Sequence, residues 1–308
     1  MRVAVFGTGA VGGYFGGRLQ ASGESVAFLA RGRQLEALRD SGLSITSPSG
    51  DLQLRDLVAT DRPDEIGPVD LILFGVKLYD AESSIEQLAP LIGPDTVVVT
   101  LQNGVEIVDL LARRWGADRV AGGAAYIMAA LEAPGRIRHL GADPLVFGGC
   151  SGARSPRLAS FEEAGRRAGF NATLSTSIDV DLWTKFVRLA TWSGMTAVSR
   201  STMGVVRDDP ALSAMMRAAL DEAIAVGRAR GIALPADLPE QTETLVDRFP
   251  FEAKSSMLED LEHGRRLELP WLSGAVVRMG RAAGVPTPVH GFITAALSPF
   301  VGGVPRAT

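Results

Sequence analysis

The chain has 308 residues, 46 % of them hydrophobic, a length that suits two domains better than one. A net charge of -4 gives no basic field for nucleic acid, and no apolar stretch reaches the length of a membrane span. The single cysteine, Cys150, excludes an internal disulfide framework. With only three histidines, the sequence shows no Cys/His metal cluster. Because the chain opens directly on a strand, with no room for a signal peptide, we expect a soluble cytoplasmic protein without a nucleic-acid, membrane or metal partner.

An apolar strand at residues 3–6 runs into a glycine-rich turn, and a helix follows. This order of strand, G-x-G-x-x-G and helix predicts a dinucleotide-binding site. Its first glycine makes the tight turn, the second lets the backbone approach a pyrophosphate, and the third lets the helix pack closely on the strand. Amides at the start of the helix then face the phosphates. The alternative is a tight turn with a purely structural role. The predicted cofactor-binding residues here are Gly7, Thr8, Gly9, Ala10, Val11 and Gly12.

The residue after the second strand, 26–30, indicates which dinucleotide is bound. Enzymes that prefer NAD usually carry Asp or Glu about twenty residues after the glycines, where it accepts hydrogen bonds from the ribose. This chain has Arg31 at that place. A guanidinium cannot accept a hydrogen bond but can form a fork around a 2′-phosphate, so Arg31 predicts NADPH. The alternative is a solvated loop arginine.

The pattern of residues 34–174 predicts a doubly wound parallel sheet. A short helix at 34–41 precedes two alternating segments, 43–46 and 52–58, which we expect to form a hairpin inserted at the edge of the sheet. Near-continuous apolar runs alternate with helical segments after it, as in sheets that are buried on both faces. The predicted strands are 69–76, 96–101, 120–131 and 170–174, with antiparallel strands at 135–140 and 145–148 extending the sheet, and the predicted helices are 80–91, 105–115 and 157–168.

Three polar residues come at strand ends, namely Arg31, Lys77 and Asn103. Ligands of open parallel sheets bind beyond the carboxyl ends of the strands, so these side chains are candidates for cofactor binding. Lys77 is also one of only three lysines among 31 basic residues, with Lys185 and Lys254. In a chain that otherwise uses arginine, a lysine can mark a place that needs an ammonium able to lose its proton.

From residue 177 onward the pattern is helical only, so we expect domains at 1–175 and 176–308. Within the helix predicted at 179–199, Lys185 shares a face with Leu182, Leu189 and Trp192. Burial there would lower the lysine pKa toward the range used in proton transfer, whereas an ammonium that reaches water would have no such role. Further helices are predicted at 211–230, 240–248, 272–283 and 287–297.

Glu268 lies between Leu267 and Leu269, where a carboxylate in an apolar setting needs a partner. The candidate partner is the ammonium of Lys185.

Together these motifs resemble the ketopantoate reductase (2-dehydropantoate 2-reductase) family over nearly the whole chain. The residues that carry the resemblance are Gly7-Thr8-Gly9-Ala10-Val11-Gly12, Arg31, Lys77, Asn103-Gly104, Leu182-Trp183-Thr184-Lys185, Ser255-Ser256-Met257-Leu258-Glu259-Asp260 and Arg265-Arg266-Leu267-Glu268.

The resemblance implies a Rossmann-type α/β domain and a helical domain that enclose a cleft, and an NADPH-dependent reduction of a 2-keto acid, most simply ketopantoate to pantoate in pantothenate and coenzyme A biosynthesis. Carried over by position, Lys185 would be the general acid, and Glu268 would hold a substrate hydroxyl and orient the lysine. Asn103 and Ser256 would bind substrate, and Lys77 would lie near the nicotinamide end of the cofactor.

The chain also departs from the family pattern. Leu189 and Ser193 stand where typical members carry asparagines on the catalytic helix, and Ala253 replaces another. Ser193 stays a candidate substrate ligand, but a site that pairs with every oxygen of ketopantoate is incomplete. We therefore keep open a reductase of a more apolar 2-keto acid and a non-catalytic NADPH-binding sensor. A related 3-hydroxy acid or opine-type dehydrogenase is a further alternative, which the segment Ser255-Ser256-Met257 paired with Glu268 disfavours. A homodimer also stays open.

Overall fold

The computed structural model describes residues 1–152 and 155–304 and divides into two compact units, Met1–Asp181 and Leu182–Thr308. The division comes a few residues later than the boundary expected near 175, because the first helix of the second region begins in one unit and continues into the other. The two units are described separately.

In its described residues the first unit contains twelve strands and five complete α-helices. The strands are β1 (Arg2–Phe6), β2 (Ser25–Leu29), β3 (Leu43–Thr46), β4 (Leu52–Leu54), β5 (Val58–Thr60), β6 (Val69–Phe74), β7 (Ile92–Thr100), β8 (Val120–Ala125), β9 (Met128–Ala133), β10 (Arg136–Gly141), β11 (Leu145–Gly149) and β12 (Ala172–Leu174). The helices are α1 (Ala10–Ala21), α2 (Gly32–Asp40), α3 (Leu78–Ser84), α4 (Glu106–Trp115) and α5 (Pro156–Arg167).

Eight strands form the main sheet, in the order β12-β11-β8-β7-β6-β1-β2-β5. All neighbours are parallel except β8 and β11. From β1 the chain adds β2 on one side and returns to add β6 on the other, so the strand order reverses between β1 and β6. Such a switch point opens a crevice beyond the carboxyl ends of the two strands. The predicted Rossmann-type α/β fold is confirmed.

Helix α1 lies between this sheet and a second one of four strands, β4-β3-β10-β9, because glycines on its two faces allow close approach. A Cβ atom at Gly16 would lie 2.5 Å from a Val5 methyl group of the main sheet. A Cβ atom at Gly13 would lie 2.5 Å from Ile137 of the second sheet. Larger side chains would therefore push one of the sheets away.

The second sheet corrects two predictions. The hairpin of β3 and β4 forms, with Leu43 opposite Leu54, but it belongs to the second sheet and not to the edge of the main one. The main sheet instead ends in β5, which was expected to continue β4 and runs parallel to β2. Strand β10, expected to extend the main sheet, pairs with β3. The strands of the second sheet pack on α1 through apolar residues that are distant from it in sequence.

Two predicted elements are interrupted. The helix expected at 80–91 is α3 followed by a 3-10 helix at Glu86–Leu91, since Pro90 cannot continue an α-helical ladder. The strand expected at 120–131 divides into β8 in the main sheet and β9 in the second sheet. At the break the amide of Tyr126 donates to the carbonyl of Pro144, at 2.8 Å.

The second unit is helical throughout its described residues. Its core is rich in methionine and leucine, including Met195, Met203, Met257 and Leu267. Asp209 caps the helix Pro210–Ala229, because its carboxylate accepts hydrogen bonds from the amides of residues 211 and 212, both at 2.9 Å. No helix in the described part of the chain is both long and apolar enough to cross a membrane. The helices of this region are α6 (Ile178–Ser199), α7 (Met203–Asp208), α8 (Pro210–Ala229), α9 (Leu238–Asp247), α10 (Ser256–Glu262), α11 (Ser273–Ala283) and α12 (Pro288–Leu297).

Candidate active site

The glycine turn is bonded directly to the end of β2. The Leu29 carbonyl accepts from the amides of Gly7 and Thr8, at 3.2 and 3.1 Å, and from the Thr8 hydroxyl at 3.0 Å. Arg31 follows two residues later and precedes α2. The turn and the predicted phosphate-binding arginine are therefore held next to each other by backbone geometry.

The three glycines have different surroundings. Gly7 has a φ of +100°, and a Cβ atom there would lie 2.6 Å from the Val76 amide nitrogen. A Cβ atom at Gly12 would lie 2.5 Å from the Gly7 carbonyl oxygen. A Cβ atom at Gly9, by contrast, would meet no heavy atom within 4 Å. Gly7 and Gly12 thus serve the packing of the turn.

The open space at Gly9 lies at the start of α1, where the first amides of a helix have no intrahelical partner. A pyrophosphate fits these two features, since it needs close backbone approach and N–H donors. The residues that would hold it are the predicted ones, from Gly7 to Gly12.

Gln34, in the first turn of α2, links this turn to the second sheet. Its Nε2 donates to the Thr8 carbonyl at 2.9 Å, and its Oε1 accepts from the Gly135 amide at 2.9 Å. Sequence reasoning missed this residue because its two partners lie in separate parts of the chain.

The ends of β1, β6 and β7 are bonded together at the switch point. The Gly75 amide donates to the Phe6 carbonyl at 2.8 Å, and the Leu101 amide donates to the Phe74 carbonyl at 2.9 Å. Gln102 adds a side-chain bond to the Val76 carbonyl at 3.2 Å. The two polar residues predicted at this edge follow directly: Lys77 is exposed in front of α3, and Asn103 is half-buried after β7.

In the second unit Lys185 and Glu268 are both buried, each with 7 % of its surface exposed. Lys185 lies in α6, and Glu268 lies between the buried Leu267 and Leu269, just before the 3-10 helix Leu269–Trp271. Burial lowers the pKa of the Lys185 ammonium to about 8, while the Glu268 carboxylate acts in the opposite direction. The structure thus brings together the two residues that sequence reasoning paired.

Other predicted substrate residues lie on α6 and at the start of α10. Ser193 is buried and follows Lys185 by about two helical turns in α6. Ser256 is exposed as the first residue of α10. Its neighbour Ser255 caps α10 by accepting from an amide at 3.1 Å and bonds to the Thr196 hydroxyl at 2.7 Å. Ser255 and Thr196 therefore fasten α10 to α6, a link that sequence reasoning missed.

Family models match nearly all of the chain. The model described as "Ketopantoate reductase PanE/ApbA" matches residues 3–152, and its C-terminal counterpart matches residues 177–300. The chain belongs to the ketopantoate reductase family. This membership confirms the resemblance found in the sequence and makes the chain an oxidoreductase that acts on a CH–OH group.

Full-length relatives agree with this family. A 2-dehydropantoate 2-reductase of Mesorhizobium japonicum is 31 % identical over 309 residues, covering 94 % of each chain. The crystal structure of a 2-dehydropantoate 2-reductase from Geobacter metallireducens has 30 % identity and a TM-score of 0.89, covering 97 % of this chain and 99 % of that one.

A D-mandelate dehydrogenase, solved as a ternary structure with NADH and anilino(oxo)acetate, has the same fold. Its TM-score is 0.90 at 23 % identity, and the match covers 98 % of each chain. Ketopantoate reductases are nicotinamide-dependent, so the chain is a nicotinamide-dependent oxidoreductase with a small-molecule substrate.

Proposed function

We propose that this chain reduces 2-dehydropantoate to pantoate with NADPH, a step of pantothenate and coenzyme A biosynthesis. The observation that carries the proposal is the buried pair of Lys185 and Glu268 in a member of the ketopantoate reductase family. A buried pair of charges is often no more stable than apolar side chains of similar size, so its presence favours a functional role. A lysine whose pKa is lowered to about 8 suits proton transfer.

The first unit would hold the cofactor. The backbone from Gly7 to Gly12 would bind the pyrophosphate, and Arg31 would bind the 2′-phosphate that distinguishes NADPH from NADH. Lys77 and Asn103, at the ends of neighbouring strands, would bind toward the nicotinamide. The bound reduced nicotinamide supplies the hydride.

The second unit would supply the proton. Reduction of a ketone places negative charge on the carbonyl oxygen, so the Lys185 ammonium stabilises that oxygen and donates a proton to it. The Glu268 carboxylate raises the pKa of Lys185, which keeps more of the lysine protonated near neutral pH, and accepts a hydrogen bond from a substrate hydroxyl. Ser193, Ser256 and Asn103 would bind the remaining polar groups of the substrate.

Steady-state oxidation of NADPH with a panel of 2-keto acids tests this proposal. We expect the highest kcat/KM with 2-dehydropantoate, and NADPH to be preferred over NADH. A higher kcat/KM with apolar 2-keto acids would mean that the substrate is one of these and not 2-dehydropantoate. Leu189, an apolar residue one turn after Lys185, would be consistent with that result. Tight NADPH binding without turnover of any keto acid would instead favour a sensor. The cytoplasmic location and the homodimer stay predictions. Cell fractionation tests the location, and light scattering tests the oligomeric state.

A further inference from the structure

The guanidinium of Arg31 has a specific partner on another segment of the chain. Its Nη2 donates to the Oε1 of Gln87, which lies in the 3-10 helix Glu86–Leu91 that follows α3. The other end of the same amide is also occupied, because Gln87 Nε2 donates to the Ser83 carbonyl at 3.0 Å. The amide oxygen is therefore turned toward Arg31 by a bond on its far side.

We propose that Gln87 is a positioning residue that sets the preference for NADPH over NADH by holding the Arg31 guanidinium in place for the 2′-phosphate. The inference rests on the proposed use of NADPH. A long arginine side chain loses conformational freedom when it binds a phosphate, and a side chain already held in place loses less. Half-buried Gln87 offers such a hold to an exposed arginine.

The absence of charge on the Gln87 side chain is as important for phosphate binding as its position. An amide leaves the full positive charge of Arg31 to the phosphate, whereas a carboxylate would neutralise that charge and repel the phosphate. The carboxylate next in sequence, Glu86, is engaged elsewhere, with its Oε1 2.6 Å from Arg114 Nε. The residue that contacts Arg31 is thus the uncharged one of the two.

The test compares Gln87→Glu and Gln87→Ala with Gln53→Glu as the matched control. Gln53 is an exposed glutamine of the same unit whose Nε2 also donates to a backbone carbonyl, that of Ser41 at the other end of α2. Gln53→Glu therefore adds the same charge and loses the same kind of bond. The measurements are the Kd of NADPH and of NADH by fluorescence titration, with the thermal unfolding midpoint of each variant.

For Gln87→Glu we expect the Kd of NADPH to rise about tenfold or more, while the Kd of NADH changes less than about twofold. For Gln87→Ala we expect a rise of about three- to tenfold for NADPH alone. Gln53→Glu should change neither constant. In the Arg31→Ala background, Gln87→Ala should have no further effect on NADPH binding, because the group that it positions is gone.

Equal changes in the two constants, or none, in a protein that itself prefers NADPH would overturn the role of Gln87 and leave the proposed function intact. An unaltered protein that binds NADPH and NADH equally well would overturn both the NADPH assignment and this inference. Since binding is measured without a keto acid, failure of the substrate assignment affects neither result. If Gln87→Glu unfolds, the Gln87→Ala constants decide.

Discussion

The glycine turn and the Lys185–Glu268 pair are built in different ways. The turn joins residues close in sequence, mostly through backbone groups, and the arginine beside it is exposed. The pair joins side chains from distant parts of the second unit, and both are buried. A change at the exposed arginine can therefore alter ligand binding alone, whereas a change in the pair alters folding and chemistry together.

The sign of the Lys185 pKa shift shows this coupling. Folding lowers the pKa from its ordinary value of 10.5 to about 8, so the unfolded chain binds the proton more tightly. Between these two pH values the contribution of Lys185 to the free energy of unfolding rises with pH, and below about pH 8 the buried ammonium costs stability.

The largest expected effect is that of Lys185→Ala. Loss of the proposed proton donor should lower kcat by about 10²- to 10⁴-fold, while the Kd of NADPH, for which we propose a site in the first unit, changes little. Steady-state kinetics and a cofactor titration measure the two quantities. Lys254→Ala is the matched control, because that lysine is exposed and contacts Glu262 on the surface. Near-normal turnover of Lys185→Ala would remove this lysine from the mechanism.

Two alanine substitutions in the glycine turn should have opposite outcomes. Gly7→Ala places a methyl group against the Val76 amide at a positive φ, so we expect the free energy of unfolding to fall by about 3 kcal/mol. Gly9→Ala should change it by less than about 0.5 kcal/mol, since nothing lies within 4 Å, but should raise the Kd of NADPH and NADH alike. Denaturant unfolding and titration separate the effects. Unimpaired binding by Gly9→Ala would contradict a pyrophosphate site there.

Much of the fold could be predicted because apolar runs and helical periodicity mark the elements locally. Sheet membership could not, because alternation tells which face of a strand is buried but not which strand lies beside it. Strand β10 lies in the second sheet, where Ile137 packs near Gly13 of α1, a residue far away in the sequence. Helix α7 was not predicted either, since its first amides donate to the distant carbonyls of Ala253 and Phe251.

The same distinction between local and long-range signals applies to the candidate site. The sequence alone predicted the glycine turn and the pairing of Lys185 with Glu268, because each carries a local signal: a fixed spacing, or a charge set in an apolar stretch. Gln34 and Gln87 carry no such signal. Each makes a hydrogen bond to a residue far along the chain, and a glutamine on a short helix is otherwise an ordinary surface residue.

Arg31→Ala should affect cofactor choice without affecting folding. We expect NADPH binding to weaken by about 1.5–3 kcal/mol, the value of a charge-assisted contact, and NADH binding to stay nearly unchanged. Parallel titrations with the two cofactors measure the difference, and the unfolding midpoint should stay the same because the side chain is exposed. Equal losses for the two cofactors would show that Arg31 does not bind the 2′-phosphate.

The smallest expected effect is a displacement of the pH profile by Glu268→Gln. If Lys185 donates the proton, kcat/KM should fall as the pH rises through about 8, because the ammonium is then lost. The Glu268 carboxylate raises this pKa, so the neutral amide should move the falling limb to lower pH, whatever it does to the maximum rate. Glu262→Gln, a change in an exposed carboxylate, should leave the limb in place. Coincident limbs for Glu268→Gln and the unaltered enzyme would mean that the group titrating in the profile is not Lys185 under the influence of Glu268.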